Sequence, residues 1–105
     1  FTNHSIVSSS KGAIEGLTLS LAAEFAPKIK VNCIAPSLTD SKMSQKMVSN
    51  ETIRKAIENM HPIPKIGNGE DFGDLASFLL GQNNNWITGQ IFHIDGGRST
   101  LRIKS

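Results

Sequence analysis

Three side chains near the start of the chain stand where they could share one chemical task. His4, Ser8 and Lys11 follow one another at spacings of four and three, which on a helix puts them on one face with Val7 between. An imidazole exchanges protons readily near neutral pH. His4 is therefore a candidate general acid, Ser8 a second hydroxyl in reach, and Lys11 a fixed positive charge beside them. Each also has a plainer reading: His4 as a helix cap or terminal residue, and Lys11 as a solvated helix residue. A second group of polar side chains, Ser37, Thr39 and Ser41, follows Pro36. Their hydroxyls suit either a polar ligand or the capping of the next helix.

The remaining chemistry-bearing residues form no pattern. Cys33 is the only cysteine among 105 residues, so it pairs with no other in the chain. Its apolar neighbours Val31, Ile34 and Ala35 predict a packed, reduced thiol. His61 and His93, taken with His4, lack the paired spacing of metal ligands, and no metal is expected. Eleven basic and nine acidic residues leave a net charge of +2. The basic residues are scattered, which argues against a nucleic-acid partner. No apolar run approaches the roughly 18 residues of a membrane span, and no charged segment precedes an apolar stretch as in a signal peptide. A soluble, reducing, cytoplasmic setting is expected. The first residue is Phe1 rather than methionine, which suggests further sequence upstream.

These residues need elements to hold them. Ile6, Ala13, Ile14, Leu17, Leu21, Ala22 and Phe25 recur at helical spacing over residues 3–25, and Pro27 stops the pattern. Gly12 and Gly16 lie one turn apart. Glycine costs about 1 kcal/mol inside a helix, so the pair predicts close packing against a neighbour. A buried strand is predicted over residues 30–35, ended by Pro36. A weak helix over 41–48 leads to another after Asn50, carrying Ile53, Ala56, Ile57 and Met60. Pro62 and Pro64 break that pattern. Asn68, followed by Glu70 and Asp71, opens a helix with Phe72, Leu75, Ala76, Leu79 and Leu80 on one stripe. Ile91, Phe92, His93 and Ile94 read as a strand buried on both faces, Asp95-Gly96-Gly97 as a turn, and Trp86 as a packing anchor beside that strand.

Two strands buried on both faces and joined by helices imply a parallel α/β unit. Two strands do not make a whole sheet, so the expectation is the C-terminal part of a doubly wound, Rossmann-like α/β domain over residues 1–105, with two strands and three to four helices. In such sheets ligands sit at the carboxyl ends of the strands, where Pro36, Ser37, Thr39 and Ser41 fall.

Four stretches resemble, in order, the C-terminal part of the short-chain dehydrogenase/reductase family. They are Val7-Ser8-Ser9-Ser10-Lys11-Gly12-Ala13, Ile29 through Pro36, Ile66-Gly67-Asn68-Gly69-Glu70-Asp71, and Trp86-Ile87-Thr88-Gly89-Gln90 with Asp95-Gly96-Gly97. The family carries Tyr-x-x-x-Lys at the first; this chain has Lys11, Val7 in place of the tyrosine, and no tyrosine anywhere. The resemblance implies an NAD(P)-dependent oxidoreductase moving a hydride between nicotinamide and a carbonyl or alcohol carbon. Lys11 would contact the nicotinamide ribose. Pro36, Ser37, Thr39 and Ser41 would lie at the nicotinamide carboxamide, with Ser37 where the family usually has glycine. NAD or NADP would be the cofactor of the full-length parent. The 105-residue chain alone, without the family's glycine-rich pyrophosphate turn, would bind none and be inactive. Small carbonyl or alcohol substrates and self-association follow from the same resemblance. The alternative is a non-catalytic family member, or a fragment serving only as an oligomerisation unit.

Overall fold

Among the described residues, four helices and two strands form in the order α1, β1, α2, α3, α4, β2. A computed structural model describes residues 4–37, 39–40, 42 and 44–102, with the side chains of residues 4–8 outside that description. The chain divides into two compact units. One comprises Phe1–Cys33 with Asn84–Phe92, the other Ile34–Asn83 with His93–Ser105.

In the first unit α1 runs His4–Phe25. It buries Thr18 and Ala22, and the Thr18 hydroxyl donates to the Ile14 carbonyl at 2.8 Å, one turn back. A Cβ placed on Gly89 would lie 3.5 Å from the Ala22 methyl, an ordinary contact, so it is the φ of +70° there that favours glycine. Most of the expected apolar stripe is not covered: Ile14, Leu17 and Phe25 are exposed. Gly12 and Gly16 meet nothing either, since a Cβ at each would find no atom within 4 Å. The close neighbour that the two glycines predict is absent among the described residues.

The first strand, β1, is Cys33–Pro36, shorter and later than the predicted 30–35. Side chains hold the residues before it. The Val31 N–H donates to Thr88 Oγ1 at 3.0 Å. Asn32 Nδ2 donates to the Ile87 carbonyl at 3.1 Å and Asn32 Oδ1 accepts from the Gln90 N–H at 3.0 Å. Backbone pairing begins alongside, with Gly89 N–H to Val31 O at 2.8 Å and Cys33 N–H to Gln90 O at 2.9 Å. Pro36 ends β1 from inside it, a position where its missing N–H costs little.

The second strand, β2, is Ile91–Ile94, as predicted, and pairs with β1 in a two-stranded parallel sheet. Neither strand contains a buried residue, contrary to the expectation of burial on both faces. Two strands offer each other too little cover. Cys33 is likewise half-buried.

In the second unit α2 is Gln45–Ser49 and α3 is Glu51–Asn59. The predicted helix over 41–48 starts late because the Ser44 hydroxyl donates back to the Thr39 carbonyl rather than capping. Asn50 caps α3 through the Ile53 N–H at 3.1 Å. The fourth helix, α4, is Gly69–Leu80, opened by the predicted Asn68 cap. Asn68 Oδ1 accepts from the Glu70 and Asp71 N–H groups, while Asp71 Oδ2 accepts from the Asn68 N–H at 2.7 Å. Its apolar stripe is half-buried at Phe72, Leu75, Ala76 and Leu79, and Leu80 is 88% exposed. Trp86, expected to anchor the last strand, is 96% exposed.

Candidate functional site

The carboxyl end of β1 leads into a cavity of about 290 Å3 within the second unit. Ser37 and Thr39, two of the predicted ligand-contacting residues, line it. So do His61, Ile63, Lys65, Gly67, Asp71, Phe72, Ile94, Asp95 and Gly96. Backbone bonds fix its walls. Thr39 and Gly67 form a parallel bridge, and the Asp40 N–H donates to the Gly67 carbonyl at 2.8 Å. The Ile63 N–H donates to the Gly96 carbonyl at 2.9 Å. Gly96 has φ of +64°, and a Cβ there would lie 2.9 Å from the Ile63 carbonyl oxygen. Only glycine brings the Asp95 turn this close.

The polar groups around the cavity are paired. Ser37 Oγ lies 2.8 Å from His61 Nε2, and His61 Nδ1 lies 2.8 Å from the Ile57 carbonyl oxygen. A carbonyl only accepts, so Nδ1 carries a proton; in the neutral ring Nε2 then accepts from the Ser37 hydroxyl. His61 is 5% exposed. The Thr39 hydroxyl donates to the Ser37 carbonyl at 3.1 Å.

Lys65 Nζ spans both carboxylate oxygens of Asp71 at 2.7 and 2.8 Å. That bond, and then the Asn68 N–H, hold the Asp71 carboxyl below its ordinary range. At Asp95 burial pushes the carboxyl up. Bonds from the Ser99 hydroxyl and from the Gly97 and Ser99 N–H groups outweigh it, His93 adds a little, and the net direction is down. Both groups are therefore anionic at neutral pH.

The other predicted residues fall elsewhere. Lys11 is exposed on α1, in the first unit. The backbone of His4, Val7 and Ser8 belongs to α1, while their side chains lie outside the described residues, as does Ser41. Pro36 is exposed at the end of β1. Sequence reasoning weighed His61 only as a metal ligand. No group of three or more histidine, cysteine or acidic residues able to hold a metal occurs among the described residues. The usable signal was two-part: a serine just after Pro36, at the predicted sheet edge, and a histidine just before Pro62. Nothing in their spacing reveals that they meet.

Ser37 and Thr39 line the open space, and Ser37 does so without strain, since no described non-glycine residue has positive φ. The glycine usual at that position is not needed for this backbone.

A parallel strand–helix–strand chain with polar groups at its carboxyl edge has the form of part of a nucleotide-binding α/β domain. Comparison with known proteins narrows this. Residues 1–99 match the family model described as enoyl-(acyl carrier protein) reductase. A tropinone reductase homolog of Arabidopsis thaliana is 36% identical over 99 residues, covering 93% of this chain and 37% of its own length. Dehydrogenase/reductase SDR family member 4 of Sus scrofa is 36% identical over 92 residues, covering 87% of this chain and 33% of its own. Among solved structures, ElxO with NADP bound is 39% identical with a TM-score of 0.80, over 89% of this chain and 38% of that one. A 4-hydroxyisoleucine dehydrogenase complexed with NADH is 29% identical with a TM-score of 0.83, over 90% and 39%. The chain belongs to the short-chain dehydrogenase/reductase family. It spans about a third of the length of these relatives.

Proposed function

We propose that the chain supplies the nicotinamide-facing, C-terminal part of an NAD(P)-dependent oxidoreductase acting on small carbonyl or alcohol substrates. The observation that carries this is the cavity at the end of β1, which Ser37 and Thr39 line, in a chain of this family. Pro36, Ser37, Thr39 and Ser41 hold the nicotinamide carboxamide in this reading, and Lys11 bonds the ribose. A bound cofactor supplies the hydride. His4 and Ser8, on the Lys11 face of α1, are the candidates on that helix for the proton that a tyrosine would carry. The 105-residue chain by itself is inactive, and the protein works in the cytoplasm.

The test is fluorescence titration of the full-length protein with NADH and NADPH. Binding of at least one is expected, weakened by Lys11→Ala. A full-length protein that binds neither refutes the reading, and turnover by the 105-residue chain alone refutes its inactivity.

A second reading, a structural unit that only self-associates, draws on exposed apolar surface. Leu17 and Ile14 on α1, Leu80 at the end of α4, and Trp86 are uncovered. Tight cofactor binding with no turnover on a broad carbonyl panel favours it. A monomer by light scattering counts against it.

A further inference from the structure

The Val7 position leaves the proposed reaction without its usual acid, and the second unit contains a couple with the form of a proton relay. We infer that Ser37 is the proton-transferring residue of this protein and that His61 holds the proton behind it. The inference rests on the oxidoreductase reading above and moves the acid from α1 to the cavity.

Three features argue for it. The first is geometry: Ser37 Oγ and His61 Nε2 are 2.8 Å apart, and the imidazole is oriented from its far side by the Ile57 carbonyl at 2.8 Å. A hydroxyl, a base within hydrogen-bond reach and a third group that fixes the base's tautomer form an activated hydroxyl. The second is access. His61 is buried, whereas Ser37 is half-buried, and both line the cavity. A ligand meets the hydroxyl, and the imidazole acts through it. The third is electrostatics. Asp95 lines the same cavity as an anion, and Asp71 is already neutralised by Lys65. Glu58 of α3 approaches through its backbone, whose carbonyl accepts from the His61 N–H at 3.1 Å. The charge left on the cavity lining is thus the Asp95 carboxylate.

The proton balance is simple. In the reducing direction the hydride for the carbonyl carbon would come from a reduced nicotinamide held beside Ser37 and Thr39, and the proton from this chain. Ser37 Oγ–H gives its proton to the carbonyl oxygen and takes one from His61 Nε2–H. The imidazolium becomes a neutral imidazole with Nδ1–H still bonded to Ile57, and solvent restores its second proton. Alcohol oxidation runs the same transfers backwards.

The experiment compares the full-length protein with its Ser37→Ala, Ser37→Thr, His61→Gln and His4→Ala variants. Four quantities are read: NAD(P)H affinity by fluorescence, kcat against pH, thermal unfolding, and the 15N spectrum of the histidines. Ser37→Ala and His61→Gln are expected to lower kcat at saturating cofactor by on the order of 100-fold, with His61→Gln keeping cofactor affinity within a few-fold. They should also remove the ionisation near neutral pH, while Ser37→Thr restores much of the rate. The 15N spectrum should show one histidine in the Nδ1–H tautomer, altered by Ser37→Ala. Unchanged kcat in Ser37→Ala overturns the inference. So does loss of the ionisation in His4→Ala with its survival in His61→Gln. Should His61→Gln unfold, Ser37→Ala and Ser37→Thr decide alone. Failure of the wild-type protein to bind either nucleotide defeats the oxidoreductase reading; intact binding with an unaffected Ser37→Ala defeats only the relay.

Discussion

Asn32 carries more of the first unit than its position before a strand suggests, and replacing it with leucine tests that. The side chain makes two bonds, Nδ2 to the Ile87 carbonyl at 3.1 Å and Oδ1 from the Gln90 N–H at 3.0 Å. Each is worth about 0.5–1.5 kcal/mol net, so both together contribute about 1–3 kcal/mol. Gln90 is exposed, and water can take over part of its bond, which places Asn32→Leu in the lower half, about 1–2 kcal/mol. Asn32→Asp keeps the acceptor for Gln90 but turns a carboxylate oxygen toward the Ile87 carbonyl. It should cost at least one bond, about 1 kcal/mol. Urea melts of the wild type and both variants measure this, and for a chain of this size about 1 kcal/mol shifts the melting temperature by roughly 4–8 °C. Hydrogen exchange at the Gln90 amide gives a local readout, expected to quicken in Asn32→Leu and stay slow in Asn32→Asp. A loss below about 0.5 kcal/mol in Asn32→Leu, with unchanged Gln90 exchange, refutes the clamp.

Gly96→Ala should destabilise by about 1–3 kcal/mol in a thermal melt, because it forces a side chain into φ of +64° and toward the Ile63 carbonyl. Gly16→Ala should do the reverse, stabilising the isolated chain by about 0.5–1 kcal/mol, since its Cβ meets nothing. If that face is covered by a second copy, the same change lowers the association constant in sedimentation, and the sign separates the cases. Acid should destabilise the fold. Asp71 and Asp95 have folded pKa values below the ordinary 3.8, so their stabilisation is complete above that value and is lost as pH falls through the lower folded ones. Asp71→Asn should flatten the melting temperature between about pH 4 and pH 2; an unchanged slope counts against the Lys65 pair.

What was legible in the sequence was what depends on near neighbours. The start of α4 needed only Asn68 and Asp71 three residues apart, and β2 needed only an apolar run closed by Asp95-Gly96-Gly97. The start of β1 was misplaced because Val31 and Asn32 are held by Thr88, Ile87 and Gln90, more than fifty positions away, through side chains that no strand pattern registers. The exposure of Trp86, Leu17 and Leu80 was misjudged for a related reason. Periodicity says which face is apolar and not what covers it. The Ser37–His61 bond spans 24 residues, with Pro36 and Pro62 just outside it, so its partners could be named from the sequence only one at a time.

One carboxylate closes α4 and also holds the lysine at the cavity wall: Asp71 accepts from the Asn68 N–H and from Lys65 Nζ together. These two tasks cannot be mutated independently. A change at Lys65 frees the carboxylate to rotate, and the helix start feels it. A change of the Asn68 side chain uncaps the Glu70 and Asp71 N–H groups, so the turn that carries the same carboxylate loosens and the rim of the cavity feels that. Effects of Lys65 and Asn68 variants should therefore fail to add. Substitutions tolerated at either position then depend on the residue present at the other, so this stretch of the chain evolves as a linked pair rather than site by site.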